Sequence, residues 1–339
     1  MEVTFMKVSI TELLKTTWTI LGNVGVSPED AQIVFTHLLE EELLGKSSHG
    51  FYRLPSIVAT AKSISNAEKK IEITQVTDYG TKISSSNTLG LVAAKIASDV
   101  ACEKAKQQGM SITCATGFVG TTGALGYYAR LIAEQNLISI IMCTSEYAVA
   151  PWGGKDAILG TNPIAVAIPN GDNPIISDFS TAAMTYGELM IAAKENKQIP
   201  TGIVLDEEGN PSTDPMDAEN GCQLPMAEHK GYALGLVVEI LAGLFIGAKS
   251  GKDAVVGSDG VFIIAFKPDT FITQNEYAKN LNLLIDEIIH SSVAPNFSKI
   301  RLPGENCLNL ISEKLESGYC EIPDVVYNDL QNLLKEIKE

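Results

Sequence analysis

Apolar residues recur every three or four positions in the first part of the chain, which predicts helices that bury one face. Ser9 followed by Glu12 forms the pattern of a capping box ahead of one such apolar series. Ser27 followed by Pro28 marks the start of a second helix, because proline fits the first helical position. The chain is therefore expected to open with amphipathic helices.

Beyond these helices, helical and strand-like patterns alternate to the end of the chain. Helical spacing predicts further helices over residues 53–63, 89–109, 124–135, 183–196, 230–248, 274–290 and from 324 onward. Short apolar or alternating runs predict strands over residues 71–87, 111–114, 138–143, 163–168, 174–176 and 261–266. This order predicts a central α/β region flanked by helices from both termini.

The charge of the chain restricts the kinds of partner that it can bind. It has 25 basic and 41 acidic side chains and a net charge of −16, which repels nucleic acid and anionic membranes. The longest apolar run, residues 231–248, contains Glu239, so we expect a buried helix rather than a membrane span. The cysteines are scattered without a CxxC pair or metal-ligand spacing, and the N-terminus lacks a leader pattern. We therefore expect a reduced, soluble, cytoplasmic protein without a metal site.

One of the four histidines lies in a segment that combines several reactive groups. Ser48-His49-Gly50, followed by Arg53, places a hydroxyl, an imidazole and a guanidinium at the exit of a predicted helix. Imidazole gives or takes up a proton near neutral pH, which makes His49 a candidate acid or base. A histidine in a loop is also commonly a surface or packing residue, and the segment alone leaves both interpretations open.

Glycines recur every third residue from 117 to 126, with Thr121 among them. Such a segment permits unusual backbone angles and close approach of a ligand, or it forms a tight turn that binds nothing. The GxGxxG pattern that follows a strand in Rossmann folds is absent from the sequence, and so is the P-loop pattern.

Polar groups also mark a predicted strand end and two predicted helix starts. Asp178 ends a strand, and Ser180 and Thr181 precede a helix, where hydroxyls serve either as N-caps or as contacts for phosphate or ribose. Lys230 is a cation at the start of a helix, which the helix dipole disfavours unless the side chain faces an anion. This mismatch favours a ligand near Lys230.

Taken together and in this order, these segments resemble the malate/L-lactate dehydrogenase type-2 family. That family also includes sulfolactate and ureidoglycolate dehydrogenases, diketogulonate reductase and Δ1-piperideine-2-carboxylate reductase. The matching stretches cover nearly the whole chain and comprise residues 48–50 with 53, 123–129, 160–169, 178–181, 199–202, 206 with 209, 213–215, 224–225, 229–234, 239–243 and 301–305.

The resemblance implies an α/β (α+β) fold of the non-Rossmann NAD(P) oxidoreductase type, with a mostly antiparallel seven-stranded sheet surrounded by helices. It implies homodimers with the cofactor near the interface. The implied reaction moves a hydride between NAD or NADP and the carbon alpha to the carboxylate of a small 2-oxo or 2-hydroxy acid or a cyclic imino acid. We expect an N-terminal helical region over 1–75, a cofactor-binding α/β domain over 76–290, and a C-terminal segment over 291–339 that packs back on the helical region.

The resemblance also implies roles for single residues. His49 would donate a proton to the developing alkoxide or amine, Ser48 would orient it, and Arg53 would hold the substrate carboxylate. Thr121 and Thr161 are further candidates for substrate contact. The residues expected along the dinucleotide are Asp178, Ser180, Thr181, Lys230, Gly231, Gly304 and Glu305. The choice between NAD and NADP stays open at this point.

The chain departs from the family pattern at one catalytic position. Many members carry a histidine in an Asn-Ser-x-His-Phe-Gly segment before the Gly-Tyr-Tyr-Ala helix, and Thr121 stands there instead. Imine-reducing members are described by a Ser-His-Asp relay, and Glu188 falls at the position of its carboxylate, although a glutamate at a helix start also suits the helix dipole.

These differences leave three functions to weigh. A Ser48–His49–Glu188 relay would favour reduction of a 2-oxo acid or cyclic imine over oxidation of malate. The alternative is a catalytically impaired member that binds a nucleotide or metabolite without redox turnover. A hydrolase that uses Ser48 and His49 is disfavoured, because adjacent residues rarely present a hydroxyl to the neighbouring imidazole and the sequence has no nucleophile elbow.

Overall fold

The computed structural model describes residues 4–254, 257–305 and 307–338. The α-helices are α1 (Ile10–Asn23), α2 (Pro28–Leu43), α3 (Leu54–Ile64), α4 (Gly90–Gln108), α5 (Leu125–Ala133), α6 (Tyr186–Lys194), α7 (Asp217–Asn220), α8 (His229–Val238), α9 (Gln274–Ile289), α10 (Cys307–Ser317) and α11 (Asp324–Lys338). The strands are β1 (Phe5–Ser9), β2 (Lys70–Gln75), β3 (Gly80–Ser86), β4 (Met110–Thr116), β5 (Ile138–Cys143), β6 (Ile164–Ile168), β7 (Ile175–Phe179), β8 (Val204–Leu205), β9 (Pro211–Ser212), β10 (Cys222–Gln223), β11 (Gly260–Phe266) and β12 (Tyr319–Pro323).

The main sheet has seven strands in the order β2-β3-β4-β11-β5-β6-β7. Among the described pairs, β3 and β4 run parallel and all other neighbours in this sheet run antiparallel. The expected mixed α/β fold with a mostly antiparallel seven-stranded sheet is therefore confirmed. The central strand, β11, pairs Ile263 with Thr113 of β4 on one side and with Ile141 of β5 on the other.

Helices cover both faces of this sheet. Successive residues of β11 point to opposite faces, so Ile263 packs with α4 and α5 while Phe262 packs with the segment that follows α8. The buried face of α4 consists mainly of alanines, including Ala97 and Ala101, and their small side chains allow the helix to lie close to the strands. The result is a three-layer arrangement that buries the long apolar runs seen in the sequence.

A second hydrophobic core lies beside the sheet and joins the two ends of the chain. It includes Leu13 of α1, Leu38 of α2, Leu54 of α3 and Leu330 of α11. Strand β1 pairs antiparallel with β12. The segment that carries Ser48, His49 and Arg53 connects α2 to α3 and is therefore anchored in this core.

The predicted helix starts are confirmed by their caps. Ser9 Oγ accepts from Glu12 N at 3.1 Å, and Ser27 Oγ accepts from Asp30 N at 3.2 Å. Helix α6 begins later than the predicted residue 183, because Thr185 caps it. The sequence patterns did not predict the strands β1, β8, β9, β10 and β12 or the helices α7 and α10.

The long apolar run differs from the expected buried helix. Regular α-helix ends at Val238, and Glu239–Gly243 continues as a π-helical turn followed by the 3-10 turn Leu244–Ile246. One face packs on the sheet, but Phe245 is 67% exposed. By length and composition, the stretch His229–Ile246 resembles a membrane span, which is weak evidence because core helices pass the same test; 39% of it is buried.

Candidate active site

A cleft of about 980 Å³ opens between the segment after α2 and one edge of the main sheet. Its walls are formed by residues 45–53, the glycine segment 120–125 before α5, residues 143–148 after β5, the end of β7 and the first turns of α6. The predicted residues that line this cleft are Ser48, His49, Arg53, Thr121, Thr161, Asp178, Ser180 and Glu188. The fold thus brings together residues from four separate parts of the sequence.

The Ser48–His49 pair forms the reactive part of one wall. Ser48 Oγ lies 3.1 Å from His49 Nδ1, and His49 N donates to Lys46 O at 2.8 Å, which fixes the turn. Burial, together with the positive charges of Arg53 and Lys46, lowers the pKa of His49 to about 4, while Glu188 acts in the opposite direction. The imidazole is therefore neutral at pH 7.

Arg53 is a half-buried cation aimed into the same cleft. Its Nε donates to Ser48 O at 2.9 Å, and in the described part of the chain no carboxylate lies within 4.0 Å of the guanidinium. Burial lowers the pKa of Arg53, with Tyr52 and Tyr186 opposing the shift. A guanidinium in this state is suited to bind a carboxylate, because its planar donors match the two oxygens.

Glu188 lines the cleft, but its hydrogen bonds go to its own helix. Its Oε2 accepts from Thr185 N at 2.9 Å and from Thr185 Oγ1 at 2.8 Å, and Glu188 N donates to Thr185 Oγ1, which completes a capping box. Among the described residues, no hydrogen bond joins Glu188 to Ser48 or His49. Its effect on His49 is that of a nearby charge.

Thr121 and Thr161 also line the cleft. Thr121 Oγ1 accepts from Gly123 N at 3.0 Å and so stabilises the glycine segment. Thr161 N donates to Ser145 Oγ at 2.9 Å, and the two hydroxyl oxygens lie 3.1 Å apart. Both threonines are therefore held in place by the chain itself.

His37 supports the glycine segment through a hydrogen bond, and the sequence patterns did not identify it as a site residue. Ala124 N donates to His37 Nε2 at 3.0 Å, and a Cβ on Gly123, whose φ is +72°, would lie 2.2 Å from that nitrogen. Burial lowers the pKa of His37 to about 3, with His49 and two nearby cations adding to the shift. The ring is thus a neutral acceptor. It lies on an apolar helix face in the sequence, where nothing distinguishes it from a packing residue.

Lys46 and Asp178 form a charged pair in the lining of the cleft. Lys46 Nζ lies 3.6 Å from Asp178 Oδ2 and 3.7 Å from Glu41 Oε2. Burial raises the pKa of Glu41 to about 7, and Lys46 opposes that shift. Ser180 Oγ donates to Thr161 O at 2.9 Å and accepts from Ala182 N at 3.0 Å, so it is a structural cap as well as a lining residue.

The remaining predicted cofactor residues lie outside the cleft lining. Thr181 is buried, and its hydroxyl donates to the carbonyls of Thr161 and Asn162. Lys230 is exposed at the start of α8, and a Cβ on Gly231 would lie 2.0 Å from Met226 O.

Gly304 and Glu305 belong to a separate segment that packs beside β7. Ile176 N donates to Pro303 O at 3.0 Å, which places Gly304 against the strand that ends with Asp178. Glu305 pairs with Lys299 at 2.7 Å and accepts from Leu302 N.

Three acidic residues of the cleft lining were not anticipated from the sequence. They are Glu146, Glu219 and Asp259, and Asp259 is fixed by the two hydrogen bonds between Thr144 and the adjacent Gly260. Burial raises the pKa of Asp259 to about 7, and the charges of Glu146 and Glu239 add to the shift. In the described part of the chain, the buried Oδ1 atom of Asp259 has no hydrogen-bond partner.

Comparison with known proteins agrees with this geometry. The sequence profile of the malate/L-lactate dehydrogenase family matches residues 8–331. The chain belongs to this family. A malate/(S)-sulfolactate dehydrogenase of Methanothermus fervidus is 39% identical over 279 residues, which cover 79% of this chain and 81% of the relative.

Two further relatives match over nearly full length. A (2R)-3-sulfolactate dehydrogenase (NADP(+)) of Chromohalobacter salexigens is 31% identical and covers 92% of this chain and 93% of its own. The solved structure of sulfolactate dehydrogenase from Methanocaldococcus jannaschii superposes with a TM-score of 0.86 at 31% identity, covering 98% of each chain. The family consists of dehydrogenases of small carboxylates, in agreement with the expected class of enzyme.

Proposed function

We propose that this protein is an NAD(P)-dependent oxidoreductase that acts on the carbon next to the carboxylate of a small 2-oxo or 2-hydroxy acid or a cyclic imino acid. The observation that carries this proposal is the hydrogen-bonded Ser48–His49 pair, which lines the cleft beside the guanidinium of Arg53. Among the described residues, that guanidinium has no ion-pair partner within 4.0 Å. The reaction requires a group that binds the substrate carboxylate next to a group that transfers a proton.

The chain supplies binding and proton transfer. Arg53 holds the substrate carboxylate and thereby sets the reacting carbon near His49. The negative charge of that carboxylate offsets the effect of Arg53 on His49 and raises the imidazole pKa, which favours a proton on His49 during reduction. Ser48 fixes the ring through Nδ1. Glu188 adds a negative charge that stabilises the imidazolium. When bound, NAD or NADP supplies or accepts the hydride.

The residues beside Asp178 fit such a cofactor. The carboxylate of Asp178 is an acceptor for ribose hydroxyls, and the N-terminus of α5, which suits a phosphate, opens onto the same part of the cleft. Ser180 lines this part as well, and Gly304 and Glu305 extend it along β7. Met226 N donates to Thr181 O at 2.9 Å, which joins Thr181 to the segment just before Lys230 and Gly231. We therefore propose that Thr181, Lys230 and Gly231 border the end of the cofactor that lies away from His49.

The mostly antiparallel sheet supports a non-Rossmann mode of nicotinamide binding, because Rossmann folds place the dinucleotide at the ends of parallel strands. We keep the division of the chain into residues 1–75, 76–290 and 291–339 as part of the same proposal. We further propose a cytoplasmic homodimer with the cofactor near the interface. Exposed apolar side chains such as Phe245 and Leu284 support an interface between subunits.

The test uses purified protein with NADH or NADPH and a panel of 2-oxo acids and cyclic imino acids, with His49→Ala as the decisive variant. We expect the wild type to oxidise the cofactor with at least one substrate and the variant to lose about 100-fold in kcat. Full activity of the variant would refute the role of His49. Cofactor binding without any turnover by the wild type would favour the alternative, a binding protein that has lost redox activity.

A further inference from the structure

The charges in the cleft are unevenly distributed. Lys46 is paired with Glu41 and Asp178, which leaves Arg53 as the lining lysine or arginine without an acidic partner within 4.0 Å in the described part of the chain. Glu146, Glu219 and Asp259 line the same cleft, and among the described residues none of the three has an ion pair within 4.0 Å. The described lining therefore offers the substrate one unpaired cationic side chain and three unpaired acidic ones.

Tyr186 lines the same cleft, and its phenol is affected by both kinds of charge. Burial raises the pKa of this phenol, and the charges of Glu219 and Glu146 act in the same direction while Arg53 opposes them. Glu146 also acts on Asp259. Because Arg53, Glu146 and Asp259 all line one cleft, a substrate held at its carboxylate by Arg53 shares that cleft with the unpaired acids.

A second negative group on the substrate would meet repulsion there. Malate and sulfolactate, the substrates in the names of the compared relatives, each carry two negative groups. A positive group would instead be attracted, and it would also satisfy the buried Oδ1 atom of Asp259.

We infer that Glu146 and Asp259 are specificity-determining residues that select a 2-oxo acid with a positively charged group at the end opposite its carboxylate. This inference rests on the proposed function and narrows its substrate class. In the reduction, the carbonyl carbon takes up a hydride from the reduced cofactor, the π pair of the C=O bond moves to oxygen, and that oxygen takes up one proton. The products are the 2-hydroxy acid and the oxidised cofactor.

The test compares two substrates that differ in charge but hardly in shape. 5-Guanidino-2-oxopentanoate carries a cationic end, and 5-ureido-2-oxopentanoate carries a neutral end of the same length. We expect wild-type kcat/KM to be about tenfold higher for the guanidino acid than for the ureido acid, and lowest for the dianions oxaloacetate and 3-sulfopyruvate. Glu146→Gln and Asp259→Asn should each reduce the guanidino-to-ureido ratio severalfold, mainly through KM.

Glu72→Gln, an exposed acid on β2 at the far edge of the sheet, serves as the matched control and should leave the ratio unchanged. Equal wild-type rates with both substrates, or a preference for the dianions, would overturn the specificity and leave the proposed function intact. A second outcome would also overturn the specificity. If the two variants bind NADH or NADPH more weakly but keep the guanidino-to-ureido ratio, Glu146 and Asp259 contact the cofactor and not the substrate. Absence of turnover with every 2-oxo acid and imino acid would refute the proposed function itself.

Discussion

At the scale of single residues, the cleft depends on a balance between Arg53 and His49. Burial lowers the pKa of the imidazole to about 4, and the charges of Arg53 and Lys46 add to this shift. In the proposed function, the same guanidinium binds the substrate carboxylate, so substrate binding and imidazole protonation would be coupled. The neutral imidazole would take up a proton when an anion is bound.

Arg53→Gln tests this coupling. We expect kcat/KM to fall about 100-fold because the bidentate carboxylate contact is lost. Without the nearby positive charge, the pKa of His49 should rise from about 4 toward its ordinary value. Proton NMR titration of the imidazoles measures this shift, and the exposed His290 serves as the internal control. An unchanged His49 titration in the variant would show that burial and the remaining charges, not Arg53, set its pKa.

At the scale of elements, one contact between segments and one helix cap hold the cleft in shape. His37 of α2 accepts from the backbone before α5, and the capping box of Thr185 and Glu188 begins α6. Histidine and glutamate are both common catalytic residue types, yet both side chains have structural partners here. The structure shows that His37 is a buried acceptor and that Glu188 is a helix cap as well as a lining residue.

The lowered pKa of His37 predicts that its contribution to the free energy of unfolding decreases as the pH falls. Its pKa is near 3 in the folded protein and about 6.5 in the unfolded chain, so the unfolded state binds the proton more strongly. The stability that depends on neutral His37 is complete above pH 6.5 and is lost as the pH falls toward 3.

Urea unfolding of wild type and His37→Gln between pH 7 and pH 5 isolates this contribution. Below pH 6.5, the free-energy difference between the two proteins should shrink by about 1.4 kcal/mol per pH unit. The comparison with the variant removes the contributions of Glu41 and Asp259, whose raised pKa values act in the opposite sense. A difference that is constant across this range would mean that His37 does not titrate on unfolding.

A conservative substitution of Glu188 separates its role as a helix cap from a role in catalysis. Glu188→Gln keeps an acceptor for Thr185 but removes the charge that raises the pKa of His49. We expect an unchanged melting temperature and a loss in kcat of less than about tenfold, because this charge is the weakest of the effects on His49. Glu188→Ala should in addition destabilise the protein by about 1 kcal/mol, as loss of a helix cap does. A larger loss of kcat in Glu188→Gln would favour a direct proton relay.

At the scale of the whole molecule, apolar side chains remain exposed in two places. Leu244 and Phe245 follow α8, and no residue of α9 is buried although Leu284 and Ile288 lie on the same face of that helix. Monomers rarely expose such surfaces, which supports the proposed homodimer.

Leu284→Asp combined with Ile288→Asp tests this interface. We expect the dissociation constant of the dimer to rise by at least about 100-fold, because two carboxylates would be buried without partners. Sedimentation velocity over a concentration series gives the constant. Lys279→Asp, on the opposite side of α9, is the matched control and should leave it unchanged. Identical sedimentation of wild type and double variant would exclude α9 from the interface.

Much of this architecture could be predicted from the sequence. Long periodic segments such as α4 and the apolar strand β11 were located within a few residues, because their patterns are carried by many positions. The two-residue strands β8 and β10 were missed, since a pattern of period two needs more residues than they contain. The seven strands and mostly antiparallel character of the main sheet came from family resemblance, and the strand order was not predicted, because no local signal carries it.

The candidate site shows the same limit. Ser48, His49 and Arg53 are close in sequence and were therefore visible as one motif. Asp259 and Glu146 are more than a hundred residues apart in sequence, and only the pairing of β11 with β5 brings their loops together. The raised pKa of Asp259 depends on its burial and on nearby acids from other segments, which no single segment encodes.

Gly187, at the second position of α6, sets how closely this helix packs against the segment that carries Ser48 and Arg53. A Cβ at this position would lie 3.0 Å from Arg53 Nη2 and 3.1 Å from Ser48 Cβ. The missing side chain allows α6 to lie directly against these two residues. A single methyl group here would act as a spacer, so the size of acceptable substrates can change through one codon without any change in the reacting groups.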